Sequence, residues 1–454
     1  MIFLLSILTS LRENCIRDHI PVSKIYHYHD TISGMPNLSK HVARNLLFLL
    51  HTSTTERVRD IIDAAIKLSQ QRGSRIFLVG GTVRDLLLRL KPRDFDFIID
   101  NDPKSFIDDL SSKLRANRAY YSQFKTSTIT IDGLRFDFAR TRTEIYDRPG
   151  VLPRIHDASV EEDLYRRDFS INSMALELTD PKKPYLLDPT GGLADIANRA
   201  IRILHSSSFL DDPTRILRAI RYEQRLKFKI TTNTRDLLLK AVKARTLSTV
   251  SGDRIRNEID LIMDEPERAS IFLRASRLGV LCSLHSSLSS GNWIKSLKKT
   301  GEDKLTYIST MAYKLSSNQT NSFISLINAP KDWAKVLKDM SYLSQKETTL
   351  NALSLQPIEI YLMLKNRSIH SLNAFKYSTN LKTTRKNICL YLDKYRHIHP
   401  SINGDRLMNL GVSQGPDIHI VLKNILAGRL NGTISTLPEE IQLAQAYLKS
   451  QKRT

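Results

Sequence analysis

The hydrophobic pattern of the chain changes once along its length. Between Val42 and Gln71 apolar residues recur at three- and four-residue intervals, which predicts one or two helices. The apolar run Ile76–Val79 and the strictly alternating run Asp94–Ile99 predict strands. After about Thr179 helical spacing continues to the C-terminus, interrupted by short strand pieces such as YLLD. The pattern therefore predicts an α+β fold in which a mixed head precedes an all-α remainder.

Two glycine turns connect the predicted strands. Gly80 and Gly81 separate IFLV from the helical run TVRDLLLRL, giving a strand, a glycine turn and a helix. The dipeptide Asp132-Gly133 separates STITI from RFDFA, and Asp-Gly is a preferred hairpin turn. We expect a small mixed sheet with flanking helices.

Composition places the chain among globular proteins of several domains. Of its 454 residues 25% are charged and 41% hydrophobic, and this length exceeds one usual core, so we expect two to four packed units. The net charge of +21 favours a polyanionic partner such as RNA or DNA, although solvated Lys-rich surfaces also produce a basic protein. The charge by itself does not identify the partner.

The cysteines and the N-terminus bear on cellular location. Cys15, Cys282 and Cys389 lie far apart without CxxC spacing, so neither a disulfide framework nor a zinc site is expected, and a cytoplasmic location fits. The opening MIFLLSILTSL is about half as long as a membrane span and lacks the flanks of a signal peptide, so we expect no membrane association. Regular patterning begins at Met35, which suggests that translation starts there.

Three aspartates on predicted strands are candidates for metal-assisted chemistry. Asp94 and Asp96 lie two residues apart, so both point to one face of their strand. Asp137, between two phenylalanines on another strand, is expected to project the same way. Such carboxylates suit the binding of Mg²⁺ together with phosphate oxygens, and the alternative is an exposed polar sheet face.

The Gly80-Gly81 turn adds a candidate phosphate site. Backbone N–H groups at the start of a helix cradle phosphates, and glycine permits close approach. Arg84, one turn into the helix, could contact a phosphate or instead form a salt bridge with Asp85 or Asp94.

The segment DDPTR predicts a helix start that also carries base-pairing chemistry. Asp212 and Pro213 form an N-cap and N1 pair, which places Arg215 within a turn of Asp212. Cytosine and adenine each present an amino donor beside a ring acceptor, so one carboxylate and one guanidinium can pair with either base and not with guanine or uracil. The alternative is a helix cap with an ion pair three residues on.

Farther along this helix, arginines and apolar residues occupy opposite sides. Arg218, Arg221 and Arg225 share one side and can hold phosphates, although Arg225 is also compatible with simple solvation. The other side carries Ile216, Leu217 and Ile220.

Six motifs follow one another between about Ile76 and Phe228. They are LVGGTVRD, RDFDFII, FDFARTRTE, DLYRRDFSINSMA, LLDPTGGLADI and FLDDPTRILRAIRYEQRL. Their order resembles class II tRNA nucleotidyltransferases and the related bacterial poly(A) polymerases of the polymerase β superfamily. A segment with Gly404, Asp405, Gly415, Pro416 and Gly432 is similar to the family's tail.

The resemblance implies roles for individual residues. Metal binding is implied for Asp94 and Asp96, with Asp137 as the third catalytic carboxylate and Mg²⁺ as the cofactor. Nucleotide binding is implied for Gly80, Gly81, Arg84, Arg166, Arg167, Asp168, Asp212, Arg215, Arg218 and Arg221. Asp212 and Arg215 would serve as the protein template for CTP and ATP. The family's usual Glu before the template aspartate is Asp211 here.

Two further segments bear on the head. Residues between Glu144 and Asp163 are interrupted by prolines, predict a loop and resemble the flexible loop that related enzymes need for switching to ATP. The run from Arg166 to Ala175 predicts a capped amphipathic helix whose Phe169, Ile171 and Met174 belong to the core.

The implied activity is addition of CCA, or of its terminal A, to the 3′ end of tRNA from CTP and ATP. CC addition, poly(A) polymerisation and a catalytically inactive RNA-binding protein remain alternatives. The expected divisions are an N-terminal extension (1–34), a polymerase-β-like nucleotidyltransferase head (35–180), a helical neck with the template helix (181–250), a body (251–350) and a tRNA-binding tail (351–454). Basic and aromatic residues that could meet a tRNA backbone are Lys295, Lys298, Lys299, Lys382, Arg385, Lys386, Lys394, Tyr391 and Tyr395.

Overall fold

The chain separates into two compact units, one ending at Ser251 and one beginning at Gly252. The computed structural model describes residues 36–92, 94–100, 102–114, 119–122, 125–298 and 303–451. The predicted N-terminal extension, Cys15 and Lys299 therefore lie outside the described residues.

The first unit contains both strands and helices. In chain order they are α1 (Pro36–Ser53), α2 (Glu56–Gln71), β1 (Ile76–Val79), α3 (Gly81–Leu87), β2 (Asp94–Ile99), α4 (Pro103–Leu114), β3 (Ala119–Tyr121), β4 (Thr126–Ile131), β5 (Leu134–Arg140), β6 (Arg142–Ile145), β7 (Arg154–Asp157), α5 (Val160–Tyr165), β8 (Ala175–Glu177), β9 (Tyr185–Leu187), α6 (Gly192–Ala197), β10 (Ala200–Ile201), α7 (Ser208–Asp211), α8 (Thr214–Leu226), β11 (Lys229–Ile230) and α9 (Thr232–Lys243). Short 3₁₀ turns occupy Ser170–Asn172 and Thr246–Thr249.

The head is built on a mixed sheet. Within the described residues seven strands pair in the order β3-β4-β5-β2-β1-β8-β9. The pair β2 and β5 is parallel and the other neighbours are antiparallel. The predicted mixed sheet and its all-α continuation are confirmed.

One face of the central strands is apolar. Phe95 stacks on Phe136 at 5.1 Å between ring centroids, and Phe97 stacks on Phe138 at 4.8 Å. Helix α4 packs against this part of the sheet, and its Phe106 lies 5.4 Å from Phe138. Burying each such ring stabilises the fold by roughly 1.5–3 kcal/mol. The alternation of β2 and β5 thus directs their aspartates to the other face.

The hairpin predicted at Asp132-Gly133 forms between β4 and β5. Ile131 pairs with Leu134 across the turn, and both turn residues have positive φ, +52° and +76°. Positive φ at both central residues is what a type I′ turn requires.

The segment between Glu144 and Asp163 is more regular than its prolines suggested. Strands β6 and β7 form an antiparallel hairpin in which Glu144 pairs with Ile155. The loop prediction was wrong for these strands because backbone pairing between them overrides the local composition.

The prediction of a helix over Arg166 to Ala175 is also wrong. The helix there is α5, which begins with a capping box between Ser159 and Glu162 and ends at Tyr165. Beyond it the chain forms only the 3₁₀ turn before β8. The predicted core residues Phe169, Ile171 and Met174 are nevertheless fully buried.

The second unit is helical. Its helices are α10 (Gly252–Met263), α11 (Arg268–Arg277), α12 (Val280–Leu284), α13 (Lys304–Thr310), α14 (Ser317–Leu326), α15 (Lys331–Gln345), α16 (Glu347–Leu350), α17 (Pro357–Leu364), α18 (Ile369–Ser378), α19 (Lys382–Asp393), α20 (Gly404–Asn409), α21 (Pro416–Asn431) and α22 (Leu437–Gln451). Additional 3₁₀ turns occupy Ser286–Ser290, Asn292–Lys298 and Tyr395–His397. In the part of the chain that the structure describes, none of the helices is both long and apolar enough to cross a bilayer.

Buried side chains in this unit correct one expectation about RNA contact. Tyr391 and Tyr395 are only 6% and 8% exposed, so both belong to the packing of the unit and are not available for stacking on RNA bases. The neighbouring Lys382, Lys386 and Lys394 are exposed. The finer division of this unit into body and tail stays a prediction.

Candidate active site

Strands β2 and β5 bring the three predicted aspartates together. Asp96 lies opposite Asp137 in the parallel register, and Asp94 lies opposite Arg135. Burial, Asp137 and Asp94 together raise the pKa of Asp96 to about 6. Burial and the neighbouring carboxylates both disfavour the ionised form of Asp96, and a bound cation would favour it.

Asp137 is oriented by two donors from its own sheet. Thr128, directly opposite on β4, donates its hydroxyl to Asp137 Oδ1. The Nε of Arg135 lies 2.9 Å from Asp137 Oδ2. Arg135 precedes Asp137 by two residues, so the alternation that placed the aspartates also places this arginine on their face.

The donor set suits a divalent cation shared with a substrate. Among the described residues no cluster of three or more His, Cys, Asp or Glu could hold a metal ion on its own. Asp94 and Asp96 supply two carboxylates, and Mg²⁺ in phosphoryl-transfer sites is bound through one or two carboxylates plus substrate phosphates. The residues therefore fit a metal that binds together with a nucleoside triphosphate.

The glycine turn lies beside these carboxylates. Gly80 precedes α3 with φ +68° and ψ −129°, a conformation that non-glycine residues rarely adopt. A Cβ at position 80 would lie 2.9 Å from Arg167 Nη1 and 3.9 Å from Asp96 Oδ2. The turn, Arg167 and Asp96 thus surround one small space.

Arg84 faces the interior. It is 2% exposed, its Nη2 lies 2.7 Å from Asp85 Oδ1, and its Nη1 donates to Asn172 Oδ1 at 2.5 Å. Of the two sequence interpretations, the salt bridge to Asp85 is the one observed. The guanidinium nevertheless stays close to the turn, since a Cβ at Gly81 would lie 3.4 Å from its Nη2.

The three residues of the motif Arg166-Arg167-Asp168 contact different partners. Both arginines pair with the fully buried Asp163, at 2.7 Å and 3.0 Å. Asp168 accepts from Asn172 Nδ2 at 3.0 Å and from Arg218 Nη2 at 2.5 Å. Burial alone would raise the pKa of Asp168, but the Arg218 charge and these hydrogen bonds lower it to about 2.

Helix α8 begins one residue later than predicted. Pro213 is already αR, and the first helical residue is Thr214. Asp212 still caps this end, because its Oδ1 accepts from Thr214 N at 3.0 Å and from Thr214 Oγ1 at 2.6 Å. Arg215 donates to Ser208 Oγ at 2.6 Å and to the carbonyl oxygen of Arg166 at 2.9 Å. Asp212 therefore caps the helix as predicted, although the helix starts one residue later. Arg215 is held by its hydrogen bond to the backbone of Arg166.

Two arginines of α8 and one of α3 lie close to the ring of Tyr222 on α8. The guanidinium carbons of Arg84, Arg218 and Arg221 lie 5.0, 5.7 and 5.3 Å from the centroid of Tyr222. Arg225 lies 3.6 Å from Asp85, so the interpretation of Arg225 as merely solvated was wrong.

The predicted residues thus form two adjoining groups. The first contains Asp94, Asp96, Asp137, Gly80, Gly81 and Arg167, and the second contains Arg84, Asp168, Arg218, Arg221, Arg166, Arg215 and Asp212. Sequence reasoning missed Asp163, Asn172 and Tyr222. Asp163 was detectable, because it precedes Arg166 and Arg167 by three and four residues and contacts both along one helical turn.

Comparisons with known proteins give the family of the chain. Residues 76–202 match the family described as Poly A polymerase head domain. An A-adding tRNA nucleotidyltransferase of Halalkalibacterium halodurans is 30% identical over 89% of this chain and 96% of its own length. One of Geobacter sulfurreducens is 33% identical over 81% of this chain, which spans only 44% of that relative. A solved structure of a CCA-adding enzyme with ATP has a TM-score of 0.73 at 25% identity and covers 90% of this chain and 99% of its own.

The mixed sheet with its carboxylates and glycine turn defines a nucleotidyltransferase head of the polymerase β type. The whole-length relative narrows the class further. The chain belongs to the family of tRNA nucleotidyltransferases that share the poly(A) polymerase head domain.

Proposed function

We propose that the protein adds nucleotides to the 3′ end of tRNA without a nucleic-acid template, completing CCA or adding its terminal A from CTP and ATP. The observation that carries this proposal is the alignment of Asp94, Asp96 and Asp137 on one sheet face beside the Gly80 turn and Arg167. Two relatives that match most of this chain are named A-adding enzymes, which supports A addition in particular.

The reaction is attack of the tRNA 3′-hydroxyl oxygen on the α-phosphorus. A new P–O bond forms, and the bond from the α-phosphorus to pyrophosphate breaks. Asp137, held by Thr128 and Arg135, orients the hydroxyl and accepts its proton. Mg²⁺ held by Asp94 and Asp96 would stabilise charge on the phosphoryl oxygens and the leaving group.

The triphosphate binds where positive charge and glycine backbone meet. Arg167 Nη1 lies at the Gly80 turn, within reach of a phosphate that approaches Asp96. The backbone N–H of Gly81 at the start of α3 offers a further donor, whereas the N–H of Gly80 donates to the Met174 carbonyl oxygen at 3.2 Å. These groups add charge-assisted hydrogen bonds to the phosphate oxygens.

Base selection is assigned to Asp212 and Arg215. The carboxylate accepts from the exocyclic amino group, and the guanidinium donates to the ring nitrogen of cytosine or adenine. A guanine or uracil would place a donor against the guanidinium and an acceptor against the carboxylate, leaving both protein groups unpaired.

The test is incorporation of labelled CTP and ATP, separately and together, with Mg²⁺. The acceptors are tRNA transcripts that end before CCA, after C and after CC. Completion of CCA followed by a stop indicates a CCA-adding enzyme, whereas growth only from CC indicates an A-adding enzyme. Addition that stops after CC would indicate a CC-adding enzyme, and an unbounded A tail a poly(A) polymerase.

Two variants accompany this test. Asp96→Ala should abolish incorporation. Asp108→Ala changes an exposed aspartate on α4, which packs on the phenylalanine face of the sheet, and should incorporate like the parent. Incorporation by Asp96→Ala at the parental rate would contradict the proposed role of Asp96. No incorporation by the parent on any transcript would contradict the proposed chemistry as a whole and favour an inactive RNA-binding protein.

A further inference from the structure

One buried carboxylate holds both arginines of the Arg166-Arg167 pair. Asp163 is fully buried in the last turn of α5. Burial alone would raise the pKa of Asp163, but the charges of Arg167 and Arg166 lower it. The Asp163 carboxyl is therefore ionised, and both arginines form ion pairs with it.

The two oxygens of Asp163 serve different partners. Oδ1 accepts from Arg166 Nη2 at 2.7 Å and Nε at 3.0 Å, and from the backbone N of Arg142 at 3.2 Å. Oδ2 accepts from Arg167 Nη2 at 3.0 Å and Nε at 3.2 Å. Each guanidinium thus meets one oxygen through its Nε and Nη2 atoms, which defines its orientation.

The contact between Asp163 and Arg167 orients Arg167 towards the proposed phosphate site. With Nε and Nη2 held by Asp163, the Nη1 atom is the end of the guanidinium that reaches the Gly80 turn, 2.9 Å from the position of a Cβ there. The same position is 3.9 Å from Asp96 Oδ2. Rotation of Arg167 away from Asp163 would withdraw this donor from the triphosphate.

Arg166 connects Asp163 to the start of α8. Its Nη1 donates to Glu144 Oε1 at 2.8 Å, and its carbonyl oxygen accepts from Arg215 Nη2 at 2.9 Å. Glu144 also accepts from Tyr146 OH at 2.7 Å. The backbone position of Arg166 therefore helps to determine the orientation of the Arg215 guanidinium, which is proposed to contact the base.

We propose that Asp163 is a positioning residue that orients Arg167 towards the triphosphate and, through Arg166, orients Arg215 towards the base. Glu144 contacts Arg166 and so supports only the orientation of Arg215. This inference rests on the proposed function. It explains why one ionised carboxylate is buried among two consecutive arginines at the junction of β6, α5 and α8. A role confined to stability would lower the amount of folded protein without changing how the folded protein ranks nucleotides.

The test compares Asp163→Asn and Glu144→Gln with Glu161→Gln. Glu161 is exposed on the same helix and is a matched control for loss of one carboxylate charge. The readouts are the KM for ATP, the dissociation constant of ATP, and the ratio of ATP to UTP incorporation. Far-UV circular dichroism checks that each variant is folded.

Each variant has its own expected result. Asp163→Asn should raise the KM and the dissociation constant for ATP roughly tenfold and lower the ATP-to-UTP ratio by a similar factor. Glu144→Gln should act mainly on the ratio. Glu161→Gln should match the parent in all three readouts.

Opposite outcomes overturn the inference. If folded Asp163→Asn matches Glu161→Gln in affinity and selectivity, Asp163 does not position either arginine. If Asp163→Asn fails to fold, an unchanged ratio in Glu144→Gln overturns the inference instead. If the parent incorporates no nucleotide, the proposed function fails separately, and equal ATP affinity in Asp163→Asn and Glu161→Gln would then overturn the positioning role.

Discussion

At the scale of single residues, the site depends on positions where only one residue type satisfies the backbone and its neighbours. Gly80 has a positive φ and is crowded by Arg167. Asp168 is buried and ionised because Arg218 and Asn172 both donate to it. Each of these requirements can be tested by one substitution.

Gly80→Ala should reduce nucleotide incorporation by at least roughly tenfold, because an alanine here adds strain of about 1–3 kcal/mol and a methyl group against Arg167 Nη1. Steady-state incorporation of ATP measures the effect. Gly133→Ala is the control, since Gly133 also has positive φ but has no atom within 4 Å of its added Cβ. Equal activity in the two variants would show that crowding at position 80 does not matter.

Asp168→Asn should destabilise the fold in a pH-dependent way. Because the pKa of Asp168 is lowered from 3.8 to about 2, its ionisation stabilises the folded state above about pH 4, and this contribution is lost as pH falls towards 2. The shift corresponds to about 2 kcal/mol. Urea midpoints followed by far-UV circular dichroism should differ most between parent and variant at neutral pH and converge near pH 2. A constant difference across this range would contradict the assignment.

At the scale of elements, the start of α8 combines a structural and a recognition role. Asp212 caps the helix through Oδ1. The proposed function also gives this carboxylate a contact with the base, and we assign that contact to its second oxygen, Oδ2. The two roles therefore depend on different atoms of one side chain, and different substitutions separate them.

Asp212→Asn should keep the cap and lose base selectivity, because an amide retains one oxygen and replaces the other with a donor. Asp212→Ala should lose both and destabilise the fold by about 1 kcal/mol. Thermal unfolding and the ATP-to-UTP incorporation ratio measure the two effects. Unchanged selectivity in a stable Asp212→Asn variant would exclude Asp212 as a base contact.

Elements also show where sequence patterns were sufficient. The strands IFLV and DFDFII and the Asp132-Gly133 hairpin were predictable, since alternation and turn preference are local properties. The pairing of β6 with β7 was not, because Pro149 and Pro153 between them and their own polar residues indicate a loop until the partner strand is known.

At the scale of the whole molecule, positive charge favours binding to a polyanion. The net charge is +21, and residues 351–400 carry eight Lys and Arg against two Asp and Glu. Helix α19 presents Lys382 and Lys386 to solvent from this segment. This part of the second unit is therefore the first place to look for contacts with the tRNA backbone.

The double variant Lys382→Glu/Lys386→Glu should weaken tRNA binding by roughly tenfold or more at 50 mM salt, with a smaller dependence of log Kd on log salt. Filter binding across a salt series measures both quantities. Lys67→Glu/Lys113→Glu changes the net charge equally on two exposed lysines of the head and controls for long-range effects. Equal losses in the two variants would show that total charge, not this helix, determines the affinity.

The sequence by itself determined the class of fold, the common face of Asp94, Asp96 and Asp137, the glycine turn and, to within one residue, the start of α8. These follow from spacing and local preference, which act over a few residues. Only the tertiary structure decided that Arg84 turns inward to Asp85 and Asn172, and that Arg218 pairs with Asp168 fifty residues earlier. The spacing of Asp163 from Arg166 and Arg167 was enough to predict that both arginines contact it, but not the direction in which each guanidinium points. Those directions depend on which buried charges meet when distant segments pack, and no local pattern carries that information.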